Sequence, residues 1–205
     1  MSNGTWARAR TAREGRDHQT RTAVIDAASH VFAEYGYART SMAAIAEAAG
    51  VSRPTVYLYF STKADVFRAL AEQVRDEFLR AHETTGDAVG PHQLWRESTR
   101  AFLAAYRDNS GNLTVIEHQA LADPQIRELW LEIHERPRRR MVNYIKQLTA
   151  DGIARPVAEP EVVAEAVVGT IQHFATLLGP DEDVAERVEQ LTSMHLVLLG
   201  VGSDD

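Results

Sequence analysis

The 205-residue chain contains no cysteine, which excludes both a disulfide framework and a thiolate metal site. No apolar run approaches the length of a membrane span, and the N-terminus alternates arginine with small polar residues instead of presenting a hydrophobic leader block. A soluble, cytoplasmic protein with no membrane partner is expected. Also missing are a glycine-rich phosphate loop, a nucleophile elbow and any pair of histidines at i, i+4 with a supporting acid. Neither a metal nor a cofactor is expected, and an enzyme is disfavoured. Aromatic residues make up only 7% of the chain, yet hydrophobic content reaches 44%, enough for the core of a small domain and a larger one.

What is present is concentrated between Thr40 and Lys63, which reads as two short helices hinged on a glycine. Thr40 offers a hydroxyl cap to a helix that carries Met42, Ile45, Ala46 and Ala49 at i, i+3, i+4, i+7. Gly50 follows where a helix commonly ends in a left-handed residue, a conformation that glycine adopts without a Cβ clash. Val51 re-enters the core, Ser52 caps the second helix, and Pro54 falls in its first turn, where the missing N–H has no partner to lose. Upstream, Val24, Ala28, Val31, Phe32 and Tyr35 form a third apolar stripe ending at Gly36, so a minimal three-helix unit closes around Phe32, Ile45, Val51, Val56 and Phe60. Thr62 and Asp65 fit a capping box that opens the next helix. This is the sequence form of a helix-turn-helix, the unit that places one helix in the major groove of DNA.

The joint spacing of Thr40, Gly50, Ser52, Thr55, Tyr57, Tyr59, Phe60 and Lys63 resembles the N-terminal signature of the tetracycline-repressor (TetR) family of bacterial transcription regulators. The likeness covers about residues 20 to 67; beyond it only the overall length and helical pattern agree. The resemblance implies an all-α fold, with an N-terminal three-helix helix-turn-helix DNA-binding domain followed by a helical ligand-binding and dimerisation domain. The corresponding division is a flexible basic arm at 1–19, the DNA-binding domain at 20–66 and the ligand-binding and dimerisation domain at 67–205. It also implies a homodimeric repressor on a palindromic double-stranded operator, released by a small-molecule effector.

Charge is distributed accordingly. Residues 1–63 hold eight basic and five acidic side chains, a surplus of +3, and the rest of the chain carries −10 within the total of −7. An anion-binding head on an acidic body would show such a split. On the second helix of the motif, side-chain reach nominates Arg53, Thr55 and Leu58 for base edges, with Arg53 able to fork onto a guanine. Thr40, Ser41, Tyr57, Tyr59 and Lys63 suit phosphates through hydroxyl or ammonium donors, roles that the resemblance also implies. Tyr59 has a second reading, packing beneath the first helix, and Leu58 meets either a thymine methyl or nothing. Arg8, Arg10, Arg13 and Arg16 stand among small polar residues with no apolar period, so a disordered arm is expected there, either entering a minor groove or inert.

From Asp65 onward every long segment has helical period. Val66, Phe67, Leu70, Val74 and Phe78 line a linking helix, interrupted at Gly86 to Pro91, and a turn is expected at Asn109-Ser-Gly-Asn112. Pro137 lies inside a later helix and is expected to bend or divide it, while Arg138-Arg139-Arg140 reads as a solvated face. The last two helices, about 160–178 and 181–199, carry apolar residues on more than one face, which predicts a two-fold homodimer through a four-helix bundle. Trp95, Phe102, Tyr106, Trp130, Tyr144 and Phe174 offer aromatic walls for an effector, with His118, His134, His173 and Gln172 as polar handles. Core packing is the competing reading for each aromatic. Effector binding is expected to tilt the helix from Asp65 to Ala81 and so change the separation of the two heads. The rival classes are a helical enzyme using Glu117 with His118 or Glu132 with His134, and a dimerisation protein whose head no longer binds DNA.

Overall fold

The computed structural model describes residues 3–83, 90–179 and 182–202, with the side chains of 3–14, 81–83 and 91 outside that description. Among the described residues the chain is all-α: α1 (Asn3–Arg39), α2 (Met42–Ala48), α3 (Arg53–Tyr59), α4 (Lys63–Glu83), α5 (Pro91–Asp108), α6 (Ser110–Ala120), α7 (Pro124–Ala150), α8 (Pro160–Leu177) and α9 (Ala185–Leu199). The one departure among them is an isolated antiparallel bridge between Ala154 and Val201. Gly200, at φ 61°, passes so close to Arg155 that a Cβ would run into the Arg155 carbonyl.

The head is built from α1, α2 and α3. Val24, Ala28, Phe32, Ile45, Val56 and Phe60 are buried together, with Val51 half-buried against them, while Tyr35 turns outward from the stripe it was expected to join. Phe32 stacks on Tyr37 at 5.8 Å and meets Phe67 of α4 edge-on at 5.1 Å. Gly36 breaks the last turns of α1 at φ 75°. The expected flexible arm at 1–19 is corrected: helical backbone runs from Asn3. Alanine and arginine dominate there, proline is missing, and extending an existing helix requires no new nucleus, so a lack of apolar period did not exclude helix. The side chains of Arg8, Arg10 and Arg13 lie outside the described residues.

α4 leaves the head with Val66, Phe67, Leu70, Val74 and Phe78 buried, as its period predicts, and packs on α1, α5 and α7. Of the break expected over Gly86 to Pro91, Gly90 caps α5 and Pro91 begins it, and the remainder lies outside the described residues, as does Pro180 of the expected Gly179-Pro180 turn. The turn expected at Asn109 to Asn112 is replaced by one junction residue. Asn109 is buried and its side-chain amide donates to Glu77 Oε2 of α4 at 3.2 Å, while the Asn112 amide donates to Ser29 Oγ of α1 at 2.7 Å. Gly111 lies where a Cβ would come within 2.9 Å of the Ala33 Cβ, so its absence lets α6 approach α1. These turn-forming residue types serve helix contacts, which local propensity does not reveal. α7 continues undivided through Pro137, which is buried, as are Ile133 and Val142 on the same helix.

Candidate nucleic-acid interface and effector cavity

Short-range hydrogen bonds fix the motif. The Ser41 hydroxyl accepts from the Ala44 amide at 3.2 Å, making Ser41 rather than Thr40 the cap of α2. Gly50 takes φ 65°, and the Ser52 hydroxyl accepts from the Thr55 amide at 3.2 Å, with Pro54 in the first turn of α3. Thr62 and Asp65 form the reciprocal box: the Thr62 amide donates to Asp65 Oδ2 at 2.9 Å and the Asp65 amide to Thr62 Oγ1 at 3.2 Å.

These bonds decide which expected DNA contacts are available. Thr40 is buried, and its hydroxyl donates to the Gly36 carbonyl at 2.9 Å. Lys63 is likewise engaged inside the head, donating to the carbonyls of Tyr37 at 2.7 Å and Thr40 at 2.9 Å and lying 4.4 Å above the Tyr37 ring. A cation among these carbonyls closes the end of α1. Thr55 is half-buried with its hydroxyl 2.8 Å from Ser52 Oγ. Tyr59 is half-buried and donates to Asp17 Oδ1 of α1 at 3.3 Å, which is the packing alternative. Arg53, Pro54, Tyr57 and Leu58 remain on the outer face of α3, with Tyr57 53% and Leu58 81% exposed.

The body holds an open cavity of about 510 Å³ between α5, α6, α7 and α8. Tyr106 lines it from α5; Ser110, Leu113, Thr114 and Glu117 from α6; Trp130, His134, Glu135 and Arg138 from α7; Glu165, Val168, Gly169, Gln172 and Thr176 from α8. Three of the expected effector contacts, Tyr106, Trp130 and His134, meet there, as does Gln172. The other six do not line it. Trp95 and Phe102 are core residues, Tyr144 stacks near Trp95 at 6.2 Å, His118 and His173 are exposed, and Phe174 lies under Arg187 at 4.8 Å.

Trp130 and His134 stack at 4.4 Å, and the His134 ring Nδ1 donates to the Trp130 carbonyl at 2.8 Å, since a carbonyl only accepts. Arg138 reaches Glu135 at 2.9 Å and Glu165 at 3.4 Å, and its hydrogen bonds hold the Glu135 carboxyl below the usual carboxylate range. Burial pushes the Tyr106 phenol up to about 12. Arg138 therefore departs from the solvated-face reading of 138–140, whereas Arg139 and Arg140 are exposed as that reading expects. The spacing Trp130, His134, Arg138, at i, i+4, i+8, was the available signal that α7 presents one mixed face. Neither expected acid and base pair is assembled: Glu132 pairs with Arg75 at 3.3 Å, and Glu117 and His118 are exposed neighbours on α6. Among the described residues, no three acids or histidines gather as metal ligands and no helix is long and apolar enough to cross a membrane.

A short helix standing free on a capped turn, carried by a larger all-α body, defines the helix-turn-helix class of protein. Residues 24–70 match the model described as bacterial regulatory proteins, tetR family. It is 41% identical to the HTH-type transcriptional regulator TtgR of Pseudomonas putida, over 36% of this chain and 36% of that protein. It is 40% identical to the HTH-type transcriptional repressor ComR of Escherichia coli, over 31% of this chain and 30% of that one. The chain thus spans about a third of the length of these curated relatives. A crystal structure of a tetR-family regulatory protein from Rhodococcus RHA1 superposes with a TM-score of 0.75 at 18% identity, covering 90% of this chain and 98% of that one, and this likeness speaks for the fold.

Proposed function

We propose that the protein is a sequence-specific, DNA-binding transcriptional regulator: a homodimeric repressor on a palindromic operator, released when a small molecule enters the cavity. The observation that carries this reading is the outer face of α3. Arg53, Tyr57 and Leu58 stand free on a helix whose start is fixed by Ser52 and whose approach is fixed by Gly50. Leu58, so exposed on so short a helix, has an occupant in a thymine methyl, and Arg53 has one in a guanine edge. Ser41 and Tyr57 remain candidates for phosphates. Thr40, Thr55, Tyr59 and Lys63 act by holding α3 in place. The domain division at 20–66 and 67–205 follows the same reading. Repression rather than activation rests on kinship with proteins such as ComR.

Dimerisation is supported by the outer faces of α8 and α9, where Val162, Ala166 and Leu177 and, on α9, Met194 and Val197 are exposed. Val197 is 70% exposed, and a second copy of the same pair covers these residues with like residues. Two heads then read two half-sites about one helical turn or a multiple apart. Release has two routes to the head. α4 packs on α7, and α6, which lines the cavity, packs on α1 through Gly111 and the Asn112–Ser29 bond. A ligand that displaces α6 shifts the population of head orientations.

Footprinting the purified protein on DNA upstream of its own gene, with sedimentation to fix its oligomeric state, tests the proposal. A protected palindrome bound by a dimer is expected. A monomer that ignores every duplex at low salt overturns it. An inactive-head dimerisation protein would give the dimer without protection, and turnover by any candidate acid and base pair would return the enzyme reading.

A further inference from the structure

The charge and shape of the cavity restrict what enters it. Arg138 is bracketed by Glu135 and Glu165, which leaves Glu117 as a carboxylate with no ion-pair or hydrogen-bond partner among the described residues. The Trp130 and His134 rings supply a stacked aromatic wall. Nδ1 of His134 donates to its own helix, which fixes the orientation of the ring. Tyr106 is nine-tenths buried, lines the cavity, and its hydroxyl has no hydrogen-bond partner among the described residues. An anion entering here meets a surplus of carboxylates, whereas a cation finds acceptors and aromatic faces.

We propose that the cavity takes a flat aromatic cation, its ring against Trp130 and His134 and its positive charge toward Glu117, with Tyr106 hydrogen-bonding to a polar group on the ring. The inference rests on the reading of this cavity as the effector site, and it names that effector's chemical class. Cation–π attraction to the indole and a charge-assisted bond to Glu117 act together, and neither is available to an anionic or purely aliphatic molecule.

Calorimetric titration of the full chain, without DNA, against 9-aminoacridine and acridine-9-carboxylate tests it, because the two probes share one ring system and carry opposite charges at neutral pH. The cationic probe is expected to bind at least about tenfold more tightly. Glu117→Gln should remove about tenfold of its affinity and leave the anionic probe unweakened. Glu117 is exposed, so this variant should melt as the parent does. Trp130→Ala should weaken both probes. Equal or tighter binding of the anion, no binding of either, or an unchanged preference in Glu117→Gln overturns the proposal. A mobility shift on operator DNA is run separately: binding there with no cation preference sinks the effector class alone, whereas a cation preference with no DNA binding sinks the regulator reading alone.

Discussion

In the head, Thr40 and Lys63 give their donors to carbonyls near the end of α1, and Ser41, Ser52 and the Thr62–Asp65 box close the starts of α2, α3 and α4. In the body, between α5 and α9, Trp95 Nε1, Thr192 Oγ1 and His195 Nδ1 are buried with no hydrogen-bond partner among the described residues. A buried polar atom without a partner costs about 1–3 kcal/mol. The head therefore over-determines one geometry, as a reading surface of fixed pitch requires. The body, in contrast, leaves an open cavity of about 510 Å³ between its helices.

The contrast breaks most visibly with acid. His195 is fully buried, with Nε2 2.9 Å from Thr170 Oγ1, and desolvation pushes its imidazole down to about 4 from an ordinary 6.5. The unfolded chain takes up this proton first, so the stabilisation is complete above pH 6.5 and is lost as pH falls toward 4. Urea unfolding should show about 3 kcal/mol disappearing across that window, and a His195→Gln variant should lack that loss. An identical acid limb in both proteins would assign the loss elsewhere.

Lys63→Ala tests the head from the other side. It removes a cation from three carbonyls and from the Tyr37 ring, so stability should fall by about 2 kcal/mol. The salt dependence of operator binding should hardly change. A slope flatter by about one unit, with stability intact, would restore Lys63 to the phosphates.

The head was legible because its determinants are local: a glycine at positive φ, hydroxyl caps three residues from their amides, and apolar spacing at one helical period. Those same local rules do not show what holds Thr40 and Lys63 within the head. Both were named from reach, and reach does not show that the carbonyls of Gly36, Tyr37 and Thr40 lie within it. The cavity was less legible still. Trp95 and Trp130 look alike in sequence, yet one is core and the other cavity wall, because four helices distant along the chain decide which face is covered. Asn109 and Asn112 read as turn residues for the same reason: their partners, Glu77 and Ser29, lie far upstream.

Within the outer face of α3, Arg53→Ala should cost about 1.5 kcal/mol of operator binding and relax sequence choice at one base position, measured by competition among operator variants. A uniform loss across all variants would move Arg53 to the phosphates. Protein stability should not change, since Arg53 is exposed and its side chain is not what caps α3.

Leu58 carries the smallest expected effect and the cleanest separation of folding from reading. At 81% exposure it contributes almost nothing to the core, so Leu58→Ala should leave unfolding within about 0.5 kcal/mol of the parent. Operator affinity should fall about threefold, through lost apolar contact with a thymine methyl, and should fall less on an operator in which that thymine is replaced by uracil. If stability drops with affinity, Leu58 belongs to the packing of the head. If neither moves, the face of α3 reads DNA through Arg53 and Tyr57 alone, and the exposed leucine has no part in recognition.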